Sequence, residues 1–242
     1  MNQIHKDKLE ILQQRIPIGL RHGLILLEKF DGDLNKVEKH FKEEMITLTR
    51  AKTGVKSNIA IRHLIKNNFD ISLTIKSIDE ERYTLTELII KKNKKEDALD
   101  KIFSAVKEQY DLDENIWLNF DQLKNLTPEI YCFITTMEWL NYESWEDYEI
   151  ALSYDLNVVA DQIENKLGLS ELANSLKKAE RLITFVFEKY EVKEHLNNYL
   201  KAKNKLREEI GFQKTENTFI MQKPILIDRL YELVKNNIEK FP

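Results

Sequence analysis

A chain of 242 residues with only six glycines and four prolines has few places at which to turn back sharply. Folds built of short strands need a turn signal every ~8–12 residues. This sequence does not supply them, and the scarcity predicts an all-α protein. Apolar residues make up 42% of the chain, enough for a globular core. The single cysteine, Cys132, rules out an internal disulfide and a thiolate-rich zinc site. Set in the run Ile130-Tyr131-Cys132-Phe133-Ile134, it reads as a small buried hydrophobe. No stretch reaches the ~18 apolar residues of a membrane span. The N-terminal residues also lack the continuous apolar run of a signal peptide. A soluble, cytoplasmic protein is the expectation, with no membrane association.

The turns that do exist recur. Helix-forming residues 6–14 are followed by Ile16-Pro17-Ile18-Gly19, a helix carrying Leu24 and Leu27, the stop Asp31-Gly32, and Asp33 placed to cap a helix with Val37 and Phe41. Shifted by 37 residues, Thr53-Gly54 stands for Ile16-Pro17, Ile61 for Leu24, Leu64 for Leu27, Asp70 for Asp33 and Ile78 for Phe41. Each unit is too small to close a core alone, so two are expected to pack together. The two units resemble the three-helix ubiquitin-associated (UBA-like) fold in the version at the N-terminus of elongation factor Ts. The resemblance covers residues 8–79 and rests on the turns, Leu27 and Leu64, and the caps Gly32-Asp33 and Asp70. It implies a tandem three-helix part and a capacity for protein docking. The turns carry Ile18 and Val55 where many such domains have an aromatic grip on ubiquitin. Nothing after residue 80 looks like the remainder of elongation factor Ts, so nucleotide exchange is not implied.

Residues 81–242 read as a larger helical bundle. Thr84 with Glu87, and Asn93 with Glu96, have the spacing of a reciprocal helix cap. Asp111 to Asn115 reads as a turn. Thr127-Pro128 opens a core helix over 128–140, and Ser144 opens a short acidic helix to about Tyr154. Residues 155–167 form another helix that Gly168 closes, followed by Ser170 as a cap for 171–190. Residues 194–209 read as a charged helix, 211–223 as a loop or short strand, and Pro224 as the start of a last helix. The stretch 131–182, with Leu167, Gly168, Leu172 and Ala173, also resembles helical bacterial proteins that include a DNA mimic.

The charge is unevenly spread. Residues 108–165 hold fourteen carboxylates against the one base Lys124, a net −13, along with Trp117, Trp139 and Trp145. The chain totals −4, which leaves +9 for the rest. Acidic charge around aromatic residues is the pattern of a surface that meets a basic protein partner. The candidate binding residues are Trp139, Tyr142 and Trp145 as anchors, with Glu143, Glu146, Asp147 and Glu149 steering. The plainer alternative is a solvated face over a helical core.

Other chemistry is sought without success. Gly54-Val55-Lys56-Ser57 lacks the upstream glycine and the Gly-Lys pair of a phosphate loop. The five histidines have no paired metal spacing, and no nucleophile motif occurs. The basic run 91–95 has no interleaved aromatics, and the isoelectric point near 5.9 argues against direct nucleic-acid binding. No catalytic residue, metal or cofactor is expected. The favoured function is non-enzymatic protein binding, most concretely an inhibitor of the immunity or nucleic-acid-mimicking type. The alternatives are a translation-factor-like adaptor docking through residues 8–79, and an enzyme or metal-binding protein using the carboxylates from Glu143 to Glu149.

Overall fold

The computed structural model describes residues 3–112, 117–192 and 196–242. Asp113 and Glu114 of the expected turn, and His195, lie outside them. Among the described residues there are thirteen α-helices and no strand. No helix is long and apolar enough to cross a membrane. The chain divides into two compact units, Met1–Leu88 and Ile89–Pro242.

The first unit carries α1 (Gln3–Arg15), α2 (Leu20–Lys29), α3 (Leu34–Thr53), α4 (Ser57–Lys66) and α5 (Ile71–Arg82). The 37-residue shift recurs in its backbone. Helix α2 maps onto α4 end to end, and their N-caps Gly19 and Lys56 share an extended conformation. Both helices stop in the same way. The Gly32 N–H returns to the Leu27 carbonyl and the Phe69 N–H to that of Leu64, each at 2.7 Å. Both chains turn through left-handed backbone to do so: Asp31 and Gly32 at φ 48° and 74°, Asn68 and Phe69 at φ 50° and 59°. Asp33 then accepts the Asn35 and Lys36 N–H groups at 3.1 Å, and Asp70 accepts that of Leu73 at 2.9 Å. The periods overlap, because α3 is one 20-residue helix that closes the first three-helix group and opens the second.

Phenylalanine at a left-handed position is strained by roughly 1–2 kcal/mol. The Phe69 ring offsets this by packing against the core of the first period, with the Lys42 ammonium 5.3 Å from its centroid.

Helix α6 (Leu85–Lys92) contains the division between units. Its reciprocal cap forms: the Thr84 N–H donates to Glu87 Oε2 at 2.7 Å, and the Glu87 N–H to Thr84 Oγ1 at 3.2 Å. The expected cap at Asn93 does not form, because the Asn93 amide bonds back to the Ile89 carbonyl and Lys94 takes the N-cap place.

The second unit holds α7 (Lys95–Gln109), a 3₁₀ turn (Phe120–Leu123), α8 (Pro128–Glu146), α9 (Tyr148–Ala151), α10 (Leu156–Asn165), α11 (Ser170–Lys189), α12 (Tyr199–Glu208) and α13 (Ile210–Asn236). One continuous apolar core joins all eight elements. Two boundaries correct the sequence reading. Helix α8 runs through Ser144 to Glu146, and Asp147 caps α9 instead, accepting the Ile150 N–H at 3.0 Å. Residues 211–223 are neither loop nor strand but part of α13, with Pro224 inside that helix. A mid-helix proline costs about 3 kcal/mol. Phe212, Thr215, Phe219, Leu226, Leu230 and Val234 form one buried stripe through it, and that burial outweighs the lost hydrogen bond.

Candidate functional site

The seven candidate residues separate into three environments. Trp139 is 0% exposed. Its indole N–H donates to the Ala151 carbonyl at 2.8 Å, and its ring meets Phe219 edge-on at 5.6 Å. It is a core residue, and its assignment as a surface anchor is corrected. A large apolar ring with one N–H is best satisfied inside, where a helix end supplies a free carbonyl.

Glu143, Asp147 and Glu149 are held by the unit's own bases. Glu143 meets Lys223 of α13 at 2.5 Å. Lys203 reaches Asp147 at 3.2 Å and Glu149 at 3.0 Å, and Arg207 Nε lies 2.6 Å from Glu149 Oε1. Lys203 and Arg207 are four apart on α12, so they share a face. Burial lowers the Lys203 pKa, but hydrogen bonds to Glu149 and Asp147 outweigh it, and the ammonium is held above its ordinary value. The Glu149 side chain is only 11% exposed. These three carboxylates bind parts of the molecule to one another, so the steering role expected of them is corrected. The sequence hid this because Lys203, Arg207 and Lys223 lie more than 50 residues downstream of the acids they meet. The only signal available was the positive balance of the chain outside 108–165.

Tyr142, Trp145 and Glu146 remain, at spacings of three and four along the last turns of α8. Tyr142 is half-buried in an aromatic group. Its ring is 4.6 Å from Trp117, edge-on, and 4.7 Å from Tyr154. Tyr154 in turn lies 5.1 Å from Phe120. The group is anchored from beneath: the Tyr154 hydroxyl donates to the Leu118 carbonyl at 2.6 Å, and the Leu118 N–H donates to buried Glu138 at 2.8 Å. Burial pushes the Glu138 carboxyl above the usual carboxylate range, against the Leu118 hydrogen bond that lowers it. Next to this group stands Trp145, 79% exposed, and then Glu146, exposed and with no ion-pair partner among the described residues. Sequence reasoning grouped the tryptophans but missed Trp117 and Tyr154 as their support.

Among the described residues, no group of three or more His, Cys, Asp or Glu side chains is placed to hold a metal ion. One network in the first unit has the residue types of a hydrolytic site. Buried His63 lies 3.0 Å from Ser77 Oγ through Nδ1 and 3.0 Å from Glu81 through Nε2. The neighbouring recess, about 340 Å³, is lined by His63, Glu81, Val55, Ile59 and Ile78 but not by Ser77. The hydroxyl that would attack therefore does not face the space a substrate would fill.

Residues 84–239 match the YfbN C-terminal domain family. Over 98% of this chain and 95% of the relative's length, the chain is 31% identical to the "uncharacterized protein YfbN" of Escherichia coli strain K12. No solved structure matches.

Proposed function

We propose that the chain, which belongs to the YfbN family, is a non-enzymatic protein-binding protein that docks a partner through the aromatic edge around Trp145. The exposure of Trp145 carries this reading. Leaving a large apolar ring in water forfeits roughly 1.5–3 kcal/mol of burial. Exposed tryptophan beside half-buried tyrosine is the composition of an interface centre, where a few aromatic residues supply most of the affinity. Half-buried Tyr142 and Trp117 form a firm floor beside it, so little side-chain entropy would be lost on docking. Glu146 at the rim favours a partner with a basic surface, and inhibition of such a partner is the most concrete form of the role.

The test compares native-lysate pull-downs by the wild-type chain, Trp145→Ala and Glu146→Lys. The expected result is a protein recovered by wild type, lost with Trp145→Ala, and recovered with a slower on-rate with Glu146→Lys. Equal recovery by wild type and Trp145→Ala overturns the reading. A second reading, docking through the N-terminal unit, is favoured by Leu20, Ile25, Ile65 and Leu73, all more than half exposed. A partner that ignores Trp145→Ala but is lost with Ile65→Lys would favour that adaptor role.

A further inference from the structure

The two overlapping periods of the first unit share a backbone plan but differ in what they bury. The first encloses Leu9, Leu12, Ile16, Ile18, Leu26, Leu27, Val37 and Phe41. At the positions 37 residues on, Leu12 becomes Thr49, Ile16 becomes Thr53, Leu26 becomes His63 and Val37 becomes Thr74. Thr49, His63 and Thr74 are as buried as the residues they replace. The Thr49 and Thr74 hydroxyls have no hydrogen-bond partner among the described residues. Each such group costs about 1–3 kcal/mol. The outer face changes in the opposite sense. Exposed Glu28 and Lys36 of the first period correspond to Ile65 and Leu73 of the second, both exposed. The second period is thus more polar inside and more apolar outside than the first.

We propose that the second period is a built-in labile segment: α4, α5 and the C-terminal half of α3 open together while the first period stays folded. Matched backbones with unmatched cores give this its force, because helix length, caps and turn geometry are nearly the same in both. The difference in burial chemistry alone then sets the order of opening. Segments with weak apolar burial are the ones that open below the global unfolding free energy. Opening wets the two threonine hydroxyls and releases Phe69 from the core of the first period.

Native-state hydrogen exchange on the full chain tests this with paired amides. His63 and Leu64 should exchange at least about tenfold faster than Leu26 and Leu27, their equivalents one period earlier, since 1.4 kcal/mol is a factor of ten. Thr74→Val, the same shape without the hydroxyl, should slow exchange at His63 and Leu64 by about tenfold. The converse change, Val37→Thr, should speed exchange at Leu26 and Leu27. Equal rates at the paired amides overturn the proposal, as does a Thr74→Val chain that exchanges no more slowly in α4 than wild type.

Discussion

Trp139 and Trp145 are six residues apart on one helix, and their environments predict opposite responses to the same substitution. Trp139→Ala removes a fully buried ring and its hydrogen bond, so it should destabilise the protein by about 3–5 kcal/mol in urea unfolding. Trp145→Ala should stay within about 0.5 kcal/mol of wild type, leaving any loss of binding attributable to the surface. Cys132 is buried, and burial pushes its thiol up to about 12. It should resist a thiol-specific reagent at pH 8 in the native protein and react stoichiometrically in denaturant. Glu138 gives a pH signature. Its folded pKa lies above its unfolded value, so its contribution to stability is greatest where it is protonated and declines as pH rises through the folded value. Glu138→Gln keeps an oxygen for the Leu118 N–H and removes the charge. It should therefore stabilise the protein at pH 7, on the order of 1 kcal/mol, and the gain should shrink towards pH 4. A gain that grows towards acid would contradict the assignment of burial as the cause.

At the scale of elements, legibility followed the range of the interaction. The caps at Asp33, Asp70 and Thr84, and the stop at Gly168 (φ 70°), depend on neighbours within a turn, and all could be read from spacing. Helix α13 could not. Local chemistry at Pro224 and the polar run before it argued for a break, while the decisive contacts, Phe219 on Trp139 and on Tyr148, join segments some 70–80 residues apart. The same distance hid the pairing of Glu149 with Lys203 and Arg207. Pro224 is exposed and is tolerated there only because of the stripe beneath it. Pro224→Ala should stabilise the protein by a measurable part of the ~3 kcal/mol that a mid-helix proline costs, read as a higher urea midpoint at unchanged slope.

At the scale of the whole molecule, the apolar core of the second unit is separate from those of the first. Unfolding should accordingly depart from a single two-state step, with a calorimetric enthalpy larger than the van't Hoff value. The all-α class was legible from glycine and proline scarcity, and the period from its turns; the functional edge was only half legible, because sequence shows which aromatics are near and not which are covered. The overlap at α3 has one more consequence, for how this chain can change length. Gly19 and Lys56 precede their helices with the same backbone, φ −69° and ψ 151° against φ −68° and ψ 155°. Excising residues 20–56 would join α1 directly to α4 with every helix face still in phase. Losing one residue fewer would turn the following faces by ~100°. The N-terminal unit is thus a ruler marked in whole periods, able to be shortened or extended by duplication at one interval and resistant to every other.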